Sequence, residues 1–237
     1  MVNPVQKLDI VIPVNNEELN LKELVPNILK IIKNKKFFQF RIIFIDDGSS
    51  DKSPDIIKEF QKNDKRIKMI QNKDRMGQTF CYKKYLLKFK ADYFLRLDAD
   101  NQDNPTYIND ILESMKFKYD LIITKRKLRK HSLLMIILSF LYDNFIKFLI
   151  KRNIETYSSS MVCFKKSFIN GKNLRFNDHR YLPLITIDNG ADKIKIINVI
   201  HEKRKYGVSK YNILTKIIFA IPEFLIFYFR LKKGTFK

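Results

Sequence analysis

Through its first 120 residues the chain alternates short runs rich in Ile, Val and Phe with longer segments whose apolar residues recur every three or four positions. The runs 8–14, 40–46, 67–71 and 93–98 predict strands, and 19–32, 54–61, 77–88 and 105–115 predict helices. Ser53-Pro54-Asp55 and Asn104-Pro105 each place an N-cap residue before a proline at the first helical position, which marks two of the helix starts. Strand, helix and strand in repetition build an α/β fold, a mostly parallel sheet with helices on both faces. Ligands of such sheets bind beyond the carboxyl ends of the strands. The polar clusters expected there are Asn15-Asn16-Glu17, Asp46-Asp47-Gly48-Ser49 and Asp98-Ala99-Asp100-Asn101-Gln102.

Beyond residue 120 the pattern changes. Leu133–Ile150 is a long apolar stretch carrying Asp143 and Lys147, and 213–231 is another, carrying Lys216, Pro222, Glu223 and Arg230. A membrane-spanning helix needs about 20 residues with few or no charges, so both stretches predict interfacial or buried helices. The charge shifts at the same place: the first 120 residues hold 22 Lys/Arg against 18 Asp/Glu, the remainder 24 against 7, within a formal net charge of +21. A field of that sign attracts polyanions, whether nucleic acid, nucleotide phosphates or an anionic membrane surface. An AT-rich coding sequence accounts for a general excess of Lys, but not for its asymmetry.

With 237 residues the chain suits one domain plus an appendage, and 45% hydrophobic with 30% charged residues disfavours disorder and collagen. Cys81 and Cys163 are isolated, with neither metal-ligand spacing nor a disulfide framework, which predicts a reduced, intracellular protein. His131, His179 and His201 form no ligand cluster, and residues 1–7 carry no cleavable signal pattern.

Candidate chemistry concentrates in three places. Asp98 and Asp100 close an apolar strand, where two hard carboxylates and the Gln102 carbonyl suit Mg2+ or Mn2+ with positions left for a diphosphate. The same residues also fit a turn capping the Pro105 helix. Asp46-Asp47-Gly48-Ser49 fits ordinary turn chemistry as well as a carboxylate that accepts hydrogen bonds from a base or ribose. The segment from Arg204 through Lys205, Gly207 and Ser209 to Lys210 combines three cations, a glycine and a hydroxyl, which suits a phosphate. It is not a P-loop, and no G-x-G-x-x-G follows the first strand, so a nicotinamide site is disfavoured.

In order and spacing, Ile10-Val11-Ile12-Pro13-Val14-Asn15-Asn16-Glu17, Ile45-Asp46-Asp47-Gly48-Ser49, Gly77-Gln78-Thr79 and Leu97-Asp98-Ala99-Asp100-Asn101-Gln102-Asp103-Asn104-Pro105 resemble the successive motifs of glycosyltransferase family 2. His179-Arg180-Tyr181-Leu182-Pro183 and the segment from His201 to Tyr211 resemble its branch of dolichol-phosphate mannose synthases and bacterial polyprenyl-phosphate sugar transferases. The resemblance implies a GT-A domain over residues 1–212, with 213–237 as an amphipathic, membrane-associated tail. It also implies inverting transfer from a nucleotide-diphosphate sugar with Mg2+ or Mn2+. By the same resemblance Pro13, Asn15, Glu17, Asp46, Asp47 and Asp98 line the nucleotide-sugar pocket, and Asp98, Asp100 and Gln102 surround the metal. Arg126, Arg204, Ser209 and Lys210 meet the acceptor or its phosphate, and Asp98, Asp100 and Arg204 are the catalytic set. Asn15 stands where the family usually has Tyr, which leaves the nucleotide base open.

The absence of Trp removes the Q-x-x-R-W signature of processive polysaccharide synthases. The expected activity is therefore transfer of one sugar to a polyprenyl phosphate by a peripheral protein on the cytoplasmic face of a membrane. A lipid phosphate is already ionised and needs no general base, whereas a sugar hydroxyl acceptor, the alternative, needs a carboxylate such as Asp178 or Asp188. A basic nucleic-acid-binding protein is the alternative of another class. The acidic strand ends, which would repel nucleic acid, argue against it.

Overall fold

The computed structural model describes residues 5–88, 90–127, 133–151, 161–175, 177–202, 205–206 and 213–237. The strands are β1 (Gln6–Val14), β2 (Phe38–Asp47), β3 (Ile67–Asn72), β4 (Tyr93–Arg96), β5 (Leu121–Lys127), β6 (Val162–Lys165) and β7 (Ile194–Ile200). They form one sheet in the order β3-β2-β1-β4-β6-β5-β7, in which only β6 runs antiparallel to its neighbours. The helices are α1 (Glu18–Ile32), α2 (Ser53–Asn63), α3 (Gln78–Leu86), α4 (Ile108–Lys116), α5 (Leu133–Ile150), α6 (Leu182–Asp188) and α7 (Ile213–Lys232).

Each inner strand is apolar on both faces because helices cover both. Leu8, Ile10 and Ile12 of β1 with Phe40, Ile42 and Phe44 of β2 pack against α1, α2 and α4, while Val11, Ile43 and Ile45 face the layer of α3, α6 and α7. Helix α1 buries Leu21, Leu24, Val25, Ile28 and Ile32, the spacing of a single helical stripe. The expected strands and helices all form. β4 stops at Arg96; Leu97 still donates its N–H to the Val11 carbonyl at 3.2 Å, and the chain then turns away at residues 98–100.

Two caps differ in outcome. Asn104 accepts from the Thr106 N–H at 3.0 Å as expected, although a 3-10 turn over Pro105–Tyr107 precedes α4. Ser53 does not cap its helix. It lies inside α2, and its hydroxyl accepts from the Glu17 N–H at 2.8 Å, while Asp51 accepts from the Ser53 N–H at 2.9 Å. The serine therefore ties the end of β1 to the start of α2.

Helix α7 has an inner and an outer face. Phe224, Phe227 and Leu231 are buried in the same cluster as Phe94 and Phe164 of the sheet, and the Tyr181 ring stacks on Phe227 at 4.4 Å. The segment expected as an appended tail thus completes the domain's core with one face. Phe219, Ile226 and Phe229 face outward and are exposed, as are Phe140, Leu141 and Phe148 of α5. Among the described residues no helix is long and apolar enough to cross a membrane.

Candidate functional site

The carboxyl ends of β2, β1 and β4 lie side by side, so the loops after them share one rim of the sheet. The first two loops are sewn together by side chains. Asn15 donates to the Asp47 and Gly48 carbonyls at 2.9 and 3.3 Å, and Asn16, held at φ 56°, accepts from the Ser50 N–H at 2.7 Å. Glu17 accepts from the Asn20 amide at 2.6 Å. Pro13 is buried in β1 opposite Ile45 of β2. Gly48 at φ +68° passes so close to the next loop that a Cβ there would lie 2.8 Å from the Arg75 nitrogen.

The paired aspartates of β2 have different surroundings. Asp47 is buried and accepts three short bonds, from Met76 N (2.8 Å), Gly77 N (2.7 Å) and the Asn72 amide (3.0 Å), so it holds the loop that opens α3. Asp46, fully buried, accepts one backbone bond from Ser49 at 3.2 Å, and its Oδ2 has no hydrogen-bond partner among the described residues. Of the two, Asp46 keeps an acceptor in reserve.

The loop after β4 is acidic and pinned. Asn101, at φ 56°, donates to the Asn20 carbonyl at 3.0 Å, and Asp100 accepts from the Gln102 N–H at 3.2 Å. Asp98 Oδ1 lies 3.6 Å from the buried Arg96 guanidinium, yet it is buried without a hydrogen-bond partner among the described residues. Burial pushes the Asp98 carboxyl up, and Arg96 opposes that shift. Among the described residues no group of three or more His, Cys, Asp or Glu side chains is placed to hold a metal ion. The Asp98–Asp100 loop nevertheless fits a hard divalent cation, because Mg2+ and Mn2+ need only one or two protein carboxylates when a diphosphate supplies further oxygens. The observation that supports this fit is the buried Asp98 Oδ1, which makes no hydrogen bond to a described residue and only a 3.6 Å ion pair with Arg96.

Three residues that received no site role from the sequence frame this loop. Asp103 is buried and fully engaged: Oδ1 meets His201 Nδ1 at 2.9 Å, and Oδ2 accepts from Arg126 at 3.1 Å. Burial works to raise its carboxyl, but these two partners hold it below the ordinary value. Arg96 donates to the His179 carbonyl at 2.9 Å and lies 5.6 Å from the centre of the Tyr82 ring. His179 contacts the Thr79 hydroxyl through Nδ1 at 2.6 Å, and burial with the fields of Arg96 and Arg180 pushes it well below 6.5, so the ring is neutral.

Arg204, Ser209 and Lys210 lie outside the described residues, but the strand leading to them does not. Glu202 donates its N–H to the Gln102 carbonyl at 2.8 Å and receives the Gln102 side-chain amide at 3.3 Å, and the Ile200 N–H donates to the Tyr107 hydroxyl at 3.0 Å. The end of β7, which precedes the basic segment in sequence, is therefore joined to the acidic loop. Its Lys205 pairs with Glu23 of α1 at 2.7 Å. Arg126 is engaged by Asp103 rather than open to a ligand.

The two carboxylates considered as hydroxyl-acceptor bases are elsewhere. Asp178 is bound by both of its oxygens to Arg230 of α7, at 3.0 and 2.8 Å, and accepts from the Arg175 N–H. Asp188 ends α6 beside Asn189, which donates to the Phe168 carbonyl near Lys166 and Asp92, at the rim where β4 begins. That is the opposite edge of the sheet.

A model of glycosyl transferase family 2 matches residues 9–174. Undecaprenyl-phosphate 4-deoxy-4-formamido-L-arabinose transferases of Pectobacterium atrosepticum and Proteus mirabilis are both 27% identical, over 218 and 215 residues. These matches cover 92% and 90% of the chain but 66% and 65% of those proteins, so the chain spans just under two thirds of its curated relatives' length. The glucosyl-3-phosphoglycerate synthase of Mycobacterium tuberculosis, solved with Mn2+, UDP and glucosyl-3-phosphoglycerate, superposes with a TM-score of 0.67 at 12% identity, covering 94% of this chain and 80% of that one. The mannosyltransferase PcManGT of Pyrobaculum calidifontis, solved with GDP-Man and Mn2+, gives 0.60 at 11%, covering 87% and 59%. Such likenesses carry the fold alone, and it is the GT-A arrangement expected from the sequence.

Proposed function

The chain belongs to glycosyl transferase family 2, and from that premise we propose that it transfers a sugar from a nucleotide-diphosphate sugar to a polyprenyl phosphate at a membrane surface. The observation that carries this reading is the seam between Glu202 and Gln102, which launches a segment of phosphate-binding residue types from the acidic loop. The curated relatives named above, which act on undecaprenyl phosphate, support the same acceptor class.

In this reading Asp46, with its reserve oxygen, and the sewn loop of Pro13, Asn15 and Glu17 receive the nucleoside, and Asp47 acts through the loop it holds. Asp98, Asp100 and Gln102 would hold Mg2+ or Mn2+, which when bound neutralises charge growing on the departing diphosphate. Arg204 has two tasks: it joins Ser209 and Lys210 in binding the acceptor phosphate, and it adds positive charge to the leaving group as the anomeric bond breaks. Ser209 and Lys210 bind the acceptor phosphate and orient its oxygen toward the anomeric carbon. Arg126 supports them from its pair with Asp103. An ionised phosphate has no proton to surrender, so it needs neither Asp178, which is bound to Arg230, nor Asp188, which lies at the other end of the sheet.

The lipid tail of the acceptor suits the outward faces of α5 and α7. Phe140, Leu141, Phe148, Phe219, Ile226 and Phe229 expose apolar surface, and the chain beyond residue 120 carries the large basic excess. Apolar area beside positive charge is the composition of an interfacial surface for an anionic leaflet, here the cytoplasmic one. The test is transfer of radiolabelled sugar into an organic-soluble product from vesicles supplied with polyprenyl phosphate. Label found only in water-soluble glycan would replace this reading with a hydroxyl acceptor.

A further inference from the structure

Beside the acidic loop, on the α3 face of the sheet, is a cleft of about 600 Å³ lined by Arg75, Gly77, Thr79, Lys83, Arg175 and His179 among others. Its two walls reach the two sides of the candidate donor site. Gly77 is the residue whose N–H donates to Asp47, and His179 is the residue whose carbonyl is held by Arg96, the neighbour of Asp98.

The lining is one-sided in charge. It contains three cations and no carboxylate. Arg75, Lys83 and Arg175 make no side-chain hydrogen bond or ion pair with any described residue, whereas Arg41, Arg66, Arg96, Arg126, Arg180 and Arg230 all do. His179 adds a second kind of evidence. It is more than nine-tenths buried, kept neutral, and fastened at Nδ1 to Thr79, while its other ring nitrogen has no partner among the described residues. Thr79 and Lys83 stand one helical turn apart on the same face of α3, whose first turn holds no acidic residue to oppose an anion.

We propose that this cleft binds an oxyanion of a substrate, a carboxylate or phosphate separate from the donor diphosphate. The proposal rests on the donor reading of the acidic loop, since it is the placement beside Asp47 and Asp98 that makes the ligand a substrate. Two sources share this chemistry: an acidic sugar on the donor, such as a uronate, and the phosphate of the acceptor. Arg175 and Arg75 present planar forks to either group, and His179 orients it from the inner wall.

The test uses the full chain and a Lys83→Gln/Arg175→Gln double variant, both changes being on partly or fully exposed side chains. Affinity for UDP and for GDP with Mn2+ is measured first; the better ligand sets the base, and failure of both to bind wild type would reject the donor reading itself. Donors of that base bearing glucose and glucuronate are then compared, and farnesyl phosphate is titrated in excess chelator. Expected is at least a tenfold loss in the variant for one probe, with nucleoside diphosphate affinity changed less than twofold. Loss confined to the glucuronate donor identifies the sugar as the source, and loss of farnesyl phosphate identifies the acceptor. Unchanged affinity for both, or equal loss for the bare nucleoside diphosphate, overturns the proposal.

Discussion

The rim over β2, β1 and β4 and the segment after β7 bind their own residues very differently. On the rim, Asn15, Asn16, Asp47, Ser53 and Asn101 spend their polar atoms on neighbouring backbone, so the loops are held before any ligand arrives. The seam at residues 200–202 is tied down by Gln102, Asp103 and Tyr107, and just beyond it Lys205 pairs with Glu23 of α1. A pre-shaped acidic rim suits a ligand of fixed shape, such as a nucleotide. The cation-rich sequence that follows the seam suits a phosphate that arrives attached to something long.

The largest expected effect would break the acidic side alone. Asp100→Asn lowers turnover by on the order of 10³-fold or more, because it removes charge where the diphosphate is to be stabilised, while thermal unfolding changes little. Steady-state transfer rates and a melting curve check this, and loss of the fold would contradict it.

Next in size is a change that asks whether the C-terminal helix belongs to the domain. Phe224→Ala removes a fully buried ring packed on Tyr181, Tyr142 and Phe227, and should cost about 3 to 5 kcal/mol in urea unfolding. A free tail would give less than about 0.5 kcal/mol.

On the basic side, Arg204→Ala and Lys210→Ala should each cost about 2 to 4 kcal/mol of transition-state stabilisation, read from kcat/KM. Asp178→Asn should leave kcat within a few-fold and act on stability, because its carboxylate serves Arg230. A hydroxyl acceptor with Asp178 as base would invert that ranking.

The smallest effect concerns Asp120, which anchors the β5–β7 edge. Burial works to raise its carboxyl, but Lys165 at 2.6 Å and the Lys193 and Asp192 N–H groups hold it below the ordinary value. A lowered folded value means the stabilisation is complete above the unfolded value near 4 and is lost as pH falls through the folded one. Asp120→Asn should therefore cost about 1 kcal/mol at pH 7, with the gap from wild type closing in denaturant melts as pH falls below the ordinary carboxylate range. A gap independent of pH would contradict the assignment.

Much of the fold was legible because its signals are local. β-branched runs, periodic stripes and Pro-marked helix starts act within a few residues, and each expected strand and helix formed to within about two residues, except that α4 begins three residues late, after the 3-10 turn at Pro105. The site was legible only where chemistry was also local. Asp46-Asp47 reads as one pair in sequence, yet one oxygen set is spent on the α3 loop and the other is held back, a difference set by residues 25 to 30 positions away. Asp103 was passed over because its partners are 23 and 98 residues distant. Ser53 misled for the same reason, its hydroxyl being used by Glu17 across 36 residues.

The central claim is that the acidic rim and the basic segment hold two different substrates, and binding measured on two variants tests it most directly. Affinities for nucleoside diphosphate with Mn2+ and for a polyprenyl phosphate in nanodiscs are determined for wild type, Asp100→Asn and Arg204→Ala. The account predicts a crossed result: Asp100→Asn loses the nucleotide and keeps the lipid phosphate, and Arg204→Ala loses the lipid phosphate while nucleotide affinity falls far less. Parallel losses of both ligands in both variants, or lipid binding untouched by Arg204→Ala, would contradict it.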